Sequence, residues 1–259
     1  MTTAPALLIY CCPLDAVDEA LLASYHTLLS ADEQIRAANL RRDAVRKVFL
    51  ISRALLRTTL ASHCDCDPAA LVFRRDHNDK PQLHAPAAPW QFNLSHAGAW
   101  VVLALSNAGA VGVDVEMHER RNQLAGIARR FYTPAENIAL ARLAEPEWSQ
   151  RFFELWTLKE AYVKALGRGI ATALAGTDIE YADASTVHLH LSGAARCAGS
   201  VRCWHYQLTP QDSLAATVIG NESSVADLQP RLFNVVPLQI DSRALALSPR
   251  LIGNIAPVR

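Results

Sequence analysis

No apolar run in this chain approaches the roughly 20 residues needed to cross a bilayer as a helix, so a membrane span is not expected. Excess charge is absent too. The 25 Lys plus Arg are balanced by 25 Asp plus Glu, which argues against non-specific nucleic-acid binding. The apolar stretch Ala4–Cys12 has no basic flank before it, so a secretion signal is not expected and a cytoplasmic protein is. Cysteines stand at 11, 12, 64, 66, 197 and 203, including two near-adjacent pairs poorly placed to bridge within themselves, which favours reduced thiols over a disulfide framework. His63-Cys64-Asp65-Cys66-Asp67 lacks both a Cys-x-x-Cys spacing and a matching second pair, so zinc is not expected there. With 51% hydrophobic residues among 259, the chain can bury one large core or two modest ones.

What is present begins with Val111-Gly112-Val113-Asp114-Val115-Glu116. Residues 101–105 and 111–115 are apolar and β-branched, and Ser106-Asn107-Ala108-Gly109 carries turn chemistry, so the pair reads as a β-hairpin. Side chains two apart on a strand share a face, which sets Asp114 and Glu116 together, about 6–7 Å apart at the backbone. Carboxylates that close repel unless a cation lies between them. The bland alternative is the wet side of an amphipathic strand whose valines face the core. Some forty residues on, Phe152, Leu155, Trp156, Tyr162, Val163 and Leu166 recur at helical spacing and Gly167 follows, predicting a helix over 150–166. Within it, Glu160 and Lys164 form either a surface ion pair or, with Lys159, a third carboxylate and two ammonium groups of a metal-and-phosphate site.

Upstream, Arg42, Arg46, Arg53 and Arg57 are separated by 4, 7 and 4 residues and fall within about 60° of one another at about 100° per residue. A solvated basic stripe is expected at Arg53 and Arg57. A helix is expected over 15–29 and another at about 122–132, with strands around 6–11 and between about 178 and 219. His188 and His190 read as the wet face of a strand. Residues 221–259, with Pro230, Pro237, Pro249 and Pro257, read as a tail of partial order.

Together these residues resemble the 4′-phosphopantetheinyl transferases of the Sfp type. The resemblance rests on the hydrophobic-Gly-hydrophobic-Asp-x-Glu strand at 111–116 and on Trp156-Thr157-Leu158-Lys159-Glu160-Ala161-Tyr162-Val163-Lys164. Phe92-Asn93-Leu94-Ser95-His96-Ala97-Gly98 and Arg130-Phe131-Tyr132-Thr133-Pro134-Ala135-Glu136 also match family segments, and Asp79-Lys80-Pro81 resembles a Gly-Lys-Pro loop with Asp79 in the glycine's place. The likeness spans roughly residues 7 to 220.

The resemblance implies an α+β fold of two similar halves, each a small antiparallel sheet with a long helix, with the ligand in the cleft between them. The halves would be residues 1–109, contacting coenzyme A, and 110–220, holding the metal and catalytic groups. It implies Mg²⁺ on Asp114, Glu116 and Glu160, and coenzyme A held by Arg46, Arg36, Lys80, Ser95, His96, Lys159 and Lys164, with Arg46 against the 3′-phosphate. Glu33 stands where relatives often carry a lysine, and Glu136 is a further acidic residue near the site. The implied reaction moves phosphopantetheine from coenzyme A to a serine of an apo acyl or peptidyl carrier protein. Glu160 would take the serine proton directly or through water, and Lys159 and Lys164 would meet the charge that accumulates. A monomer is expected, and the carrier's pathway, whether fatty-acid, polyketide or non-ribosomal peptide, has no readable motif. The same carboxylates would serve a Mg²⁺-dependent phosphoesterase acting on coenzyme A-like pyrophosphates. A non-catalytic coenzyme A-binding protein would need none of them, and their presence argues against it.

Overall fold

The computed structural model describes residues 4–118, 123–168, 174–239 and 243–255. The first half runs β1 (Leu7–Pro13), α1 (Glu19–Thr27), α2 (Ala31–Ala38), α3 (Asp43–Cys64), β2 (Val72–Arg75), β3 (Pro81–Ala85), β4 (Gln91–Ala97) and β5 (Trp100–Ser106). The second runs β6 (Gly109–Met117), α4 (Leu124–Phe131), α5 (Pro134–Leu140), α6 (Glu147–Leu166), β7 (Thr177–Tyr181), β8 (Thr186–Leu191), β9 (Ser200–Thr209) and β10 (Asp212–Gly220). After it come α7 (Glu222–Val225), β11 (Pro230–Asn234), β12 (Arg243–Leu245) and β13 (Leu251–Ile255). The architecture is α+β in two halves, each a mostly antiparallel sheet carrying one long helix, as expected. One sheet has the order β12-β11-β1-β5-β4 and the other β6-β10-β9-β13-β8-β7, while β2 and β3 form a separate ribbon.

Strand parity builds three cores from these layers. On β1, Leu8 and Cys12 pack with Tyr25, Ile51 and Leu55 beneath the helices of the first half. Leu7, Ile9 and Cys11 point the other way, into a core between the sheets with Val102, Val113, Trp204 and Leu214. Phe152, Leu155, Ala161 and Val163 of α6 close a third core against Val187, Cys203 and Ala215 of the second sheet. Each large side chain buried there stabilises the fold by roughly 1.5–3 kcal/mol.

The expected hairpin of β5 and β6 does not form. β5 pairs with β1 and β4, whereas β6 pairs with β10, so the chain crosses from one sheet to the other between Ser106 and Gly109. β5 is buried on both faces, with Val101 and Leu103 on opposite sides from Val102 and Ala104, and both its edges are taken. A strand of that kind reads as a continuous apolar run and belongs in a sheet's interior. The face of β6 expected to be wet is covered by α6. A Cβ on Gly112 would lie 2.0 Å from the Ala161 carbonyl oxygen, so only glycine lets the helix settle this close.

Residues 221–239 and 243–255 are likewise not a loose tail. β11 runs parallel to β1, and β13 lies between β9 and β8. Leu232 and Leu251 are buried, and the Tyr25 hydroxyl donates to the Pro237 carbonyl at 2.9 Å. Pro230 opens its strand, a position where a missing N–H is tolerated. Pro237 and Pro249 lie between strands, in the connections that lead to β12 and β13; Pro257 lies outside the described residues.

Helix ends follow local chemistry. Ser30 and Glu33 form a capping box on α2, and Thr133 and Glu136 form one on α5 behind Pro134. Gly167 ends α6 in the left-handed conformation, φ 68°, as its place in the sequence predicted. In the turn between β2 and β3, Asp79 takes φ 65°, the left-handed region that a glycine would supply and that Asp tolerates.

Candidate functional site

Asp114 and Glu116 share the face of β6 that meets α6, and Trp156, Glu160 and Lys164, each four residues apart, share the helix face that meets β6. Asp114 is only 4% exposed. Its Oδ1 accepts from Lys164 Nζ at 2.6 Å and from the Ser95 hydroxyl at 3.0 Å, while the buried Oδ2 has no hydrogen-bond partner. Lys164 Nζ also donates to Ser95 Oγ at 3.1 Å, and Trp156 Nε1–H donates to Glu116 Oε1 at 3.2 Å. The surface pairing of Glu160 with Lys164 is not what forms: the ammonium turns to Asp114 and Glu160 is 7% exposed.

Burial raises the Asp114 carboxyl pKa against the opposing pull of Lys164. Burial lifts Glu160 to about 7, and the negative charges of Asp114 and Glu116 add to that rise while Lys164 opposes it. Three carboxylates thus press on one another, and the Lys164 ammonium stands among them. An orphaned carboxylate oxygen beside acid groups is the donor chemistry of a hard cation such as Mg²⁺, which keeps water and substrate oxygens among its ligands. Among the described residues, no three His, Cys, Asp or Glu side chains are arranged as a ready metal cage. Asp114, Glu116 and Glu160 are the oxygen donors at hand for such a cation, and Asp114 Oδ2 is the one left without a hydrogen bond.

β4 lies beside the free edge of β6 and divides its side chains by parity. Asn93 and Ser95 turn to β6, where Asn93 Oδ1 accepts from the Val113 N–H at 2.9 Å and Ser95 Oγ from the Val115 N–H at 3.4 Å. Leu94 and His96 turn the other way, into a cavity of about 560 Å³ also lined by Arg36, Phe49, Arg53 and Arg75. The Arg36 and Arg53 guanidinium groups stand 5.4 and 5.9 Å from the Phe49 ring centre. Partial desolvation, followed by the nearby charge of Lys164, lowers the His96 pKa.

Three expected ligands stand elsewhere. Arg46 donates to Asp43 Oδ1 at 2.9 Å and to the Leu40 carbonyl at 2.7 Å, and it lines a different cavity with Glu19, His26 and Lys47. The Lys80 ammonium donates to the carbonyls of Val111, Lys164 and Ala165, closing the last turn of α6 onto β6. Burial pulls its pKa down to about 8. Lys159 is fully buried and pairs with Glu136 at 2.6 Å, because one residue's rotation on the helix turns it about 100° away from Glu160 and toward α5.

Glu136 in turn accepts from the backbone N–H groups of Thr133 and Ile179, so it ties α5, α6 and β7 together. Burial presses both members of this pair toward neutrality while their attraction opposes it. The capping-box pattern Thr133-x-x-Glu136 was the signal for that role. Arg57, expected in solvent, is 2% exposed and donates to Glu33 Oε2 at 2.7 Å and to the Pro68 carbonyl; Arg53 reaches the same carboxylate at 3.5 Å. Packing of α2 over α3 delivers Glu33 to the basic stripe. Arg75, not singled out in the sequence, reaches the cavity through the register of β2.

The family model of the 4′-phosphopantetheinyl transferase superfamily matches residues 110–219, which carry β6 and α6, and that of the N-terminal part of 4′-phosphopantetheinyl transferases matches residues 18–108. The 4′-phosphopantetheinyl transferase HetI of Nostoc is 34% identical over 161 residues, 61% of this chain and 68% of the relative. A Synechocystis relative provisionally named a 4′-phosphopantetheinyl transferase is 35% identical over 168 residues, 64% and 67% of the two chains. The chain belongs to the 4′-phosphopantetheinyl transferase superfamily. It is an enzyme of that class. Sfp of Bacillus subtilis is a more distant relative, 28% identical over 162 residues, 62% of this chain and 66% of Sfp.

Proposed function

We propose that this superfamily member acts as an Sfp-type transferase, moving 4′-phosphopantetheine from coenzyme A to a serine of an apo carrier protein with Mg²⁺. The observation that carries the reading is the convergence of Asp114, Glu160 and Lys164, with Asp114 Oδ2 buried and unpartnered. Asp114, Glu116 and Glu160 would hold the cation. When bound, it supplies Lewis acidity that neutralises the pyrophosphate oxygens of the donor.

The chain's own residues account for the rest. Lys164 keeps an ammonium beside Asp114, where a phosphate oxygen of coenzyme A can share it. Arg36 and His96 line the adjoining cavity and suit the nucleotide's phosphate groups, with Arg53 and Arg75 beside them. The serine hydroxyl attacks the phosphorus that carries the pantetheine arm, and adenosine 3′,5′-bisphosphate leaves. Glu160, whose pKa burial raises before any cation is bound, takes the serine proton directly or through water. Lys159 and Glu136 brace α6 from behind instead of touching the donor.

The test is mass spectrometry of apo acyl and peptidyl carrier proteins incubated with this protein, coenzyme A and Mg²⁺. A gain of one phosphopantetheine group on the carrier serine is expected. Consumption of coenzyme A at the same rate with no carrier present would instead identify a phosphoesterase.

A further inference from the structure

Among the described residues β6 is an edge strand, with β10 on one side and no backbone partner on the other. An antiparallel ladder uses the amide groups of alternate residues, so every second residue of an edge strand turns unpaired groups outward. On β6 these belong to Val111, Val113 and Val115, and three side chains of the first half reach them. Lys80 Nζ donates to the Val111 carbonyl at 3.0 Å, Asn93 Oδ1 accepts from the Val113 N–H at 2.9 Å, and Ser95 Oγ accepts from the Val115 N–H at 3.4 Å. Asn93 and Ser95 are two apart on β4, and so are the amides they meet on β6. The spacing of one strand thus matches that of the other, with side chains standing where a neighbouring strand's carbonyls would be. Asp114 lies between the two held amides.

We propose that Asn93 is a positioning residue, its side-chain carbonyl replacing the absent neighbour strand at Val113 and thereby fixing Asp114 against Lys164. This rests on the carboxylate-centred transfer proposed above. It separates the Phe92-Asn93-Leu94-Ser95-His96 segment into two functions by parity: Leu94 and His96 face the ligand cavity, while Asn93 and Ser95 hold the acidic strand. Ser95 also bonds Asp114 and Lys164 directly, so substituting it would mix two effects. Asn93 gives the cleaner test.

In the full chain, Asn93→Leu removes the acceptor at similar volume, Asn93→Ala removes it without any risk of overpacking, and Asn93→Asp keeps an oxygen in place. Amide hydrogen exchange at Val113 and steady-state transfer to an apo carrier are measured for each. Losing this part-buried hydrogen bond should speed Val113 exchange about tenfold in the Leu or Ala variant, with kcat down about tenfold and KM for coenzyme A within about twofold. Asn93→Asp should restore Val113 protection. Unchanged Val113 exchange in the Leu and Ala variants would overturn the proposal. So would a raised KM at constant kcat, which would make Asn93 a ligand, or an Asp variant that exchanges as fast as the Ala variant. Loss of Val113 protection in a protein that modifies no carrier would sink the transferase reading alone; normal transfer with unchanged exchange would sink only this one.

Discussion

Lys164 on α6 and Asp114 on β6 meet at 2.6 Å through one carboxylate oxygen, leaving the other buried and unpartnered. The contact joins the long helix of the second half to its edge strand, and Ser95 from the first half bonds to both residues. A pair built for stability alone would satisfy both oxygens, since an unsatisfied buried acceptor costs about 1–3 kcal/mol. A pair that must also receive a ligand leaves one open.

Asp114→Ala should therefore abolish transfer while changing folding stability by less than about 1 kcal/mol. The lost Lys164 contact is offset by removal of the unsatisfied buried oxygen, and Lys164 is exposed enough to be hydrated. Carrier modification assays beside thermal unfolding followed by circular dichroism check both parts. Near-normal activity with Mg²⁺ present would remove Asp114 from the site.

Glu160 predicts a pH dependence. Burial raises its pKa to about 7 in the metal-free protein and a cation at the carboxylates opposes that rise, so turnover with Mg²⁺ should climb with pH below neutrality and then level off. Glu160→Gln should remove that limb and lower kcat about 10²–10⁴-fold, with a smaller change in coenzyme A affinity measured by calorimetry. The stability linkage has the opposite sign. A carboxyl whose folded pKa lies above the unfolded value binds more protons folded, so its contribution is full below about pH 4.5 and is lost as pH rises toward about 7. Glu160→Gln should flatten stability over that window in urea titrations, and an unaltered slope would contradict the raised pKa.

Lys159 should behave as a structural residue. Breaking a buried pair from one side typically costs about 3–5 kcal/mol, so Lys159→Met should be strongly destabilising, and adding Glu136→Gln should recover most of the loss. Denaturant unfolding of the two single variants and the double variant measures the coupling. Unchanged stability combined with lost coenzyme A binding would return Lys159 to the phosphate ligands.

Arg36 and Arg46 should differ in their importance for coenzyme A. Arg36 lines the cavity with His96, whereas Arg46 is engaged by Asp43 and the Leu40 carbonyl beside another cavity. Arg36→Ala should weaken coenzyme A about 10-fold or more, the worth of a charge-assisted hydrogen bond, and weaken 3′-dephospho-coenzyme A less. Arg46→Ala should affect the two ligands equally and slightly. Calorimetry with both ligands decides, and a selective loss at Arg46 would restore it to the 3′-phosphate.

Local periodicity was legible from the chain alone. The 3.6-residue spacing of Phe152, Leu155, Trp156, Tyr162 and Val163 with Gly167 behind it predicted α6, and the two-residue spacing on β6 put Asp114 and Glu116 on one face. The motifs that carry the family likeness lie on those two elements, which is why the class of enzyme could be read before the fold. What covers each face could not be read so. Periodicity states which side chains share a surface, but whether that surface meets water, a helix or a second sheet depends on contacts between residues distant in the chain. Gly112 looked like a wet position and is the point where α6 touches β6. β5 and β6 looked like a hairpin because turn residues join them, yet β1 and β4 occupy both edges of β5. Among the cations the chain offered Lys80, Arg46, Lys159 and Lys164 on equal terms. Only the packing of α5, α6 and the β2–β3 turn decided which ammonium groups meet carbonyls or a buried carboxylate and which one stands at the acidic cluster, because a long side chain goes to the partner its neighbours bring within about 3 Å.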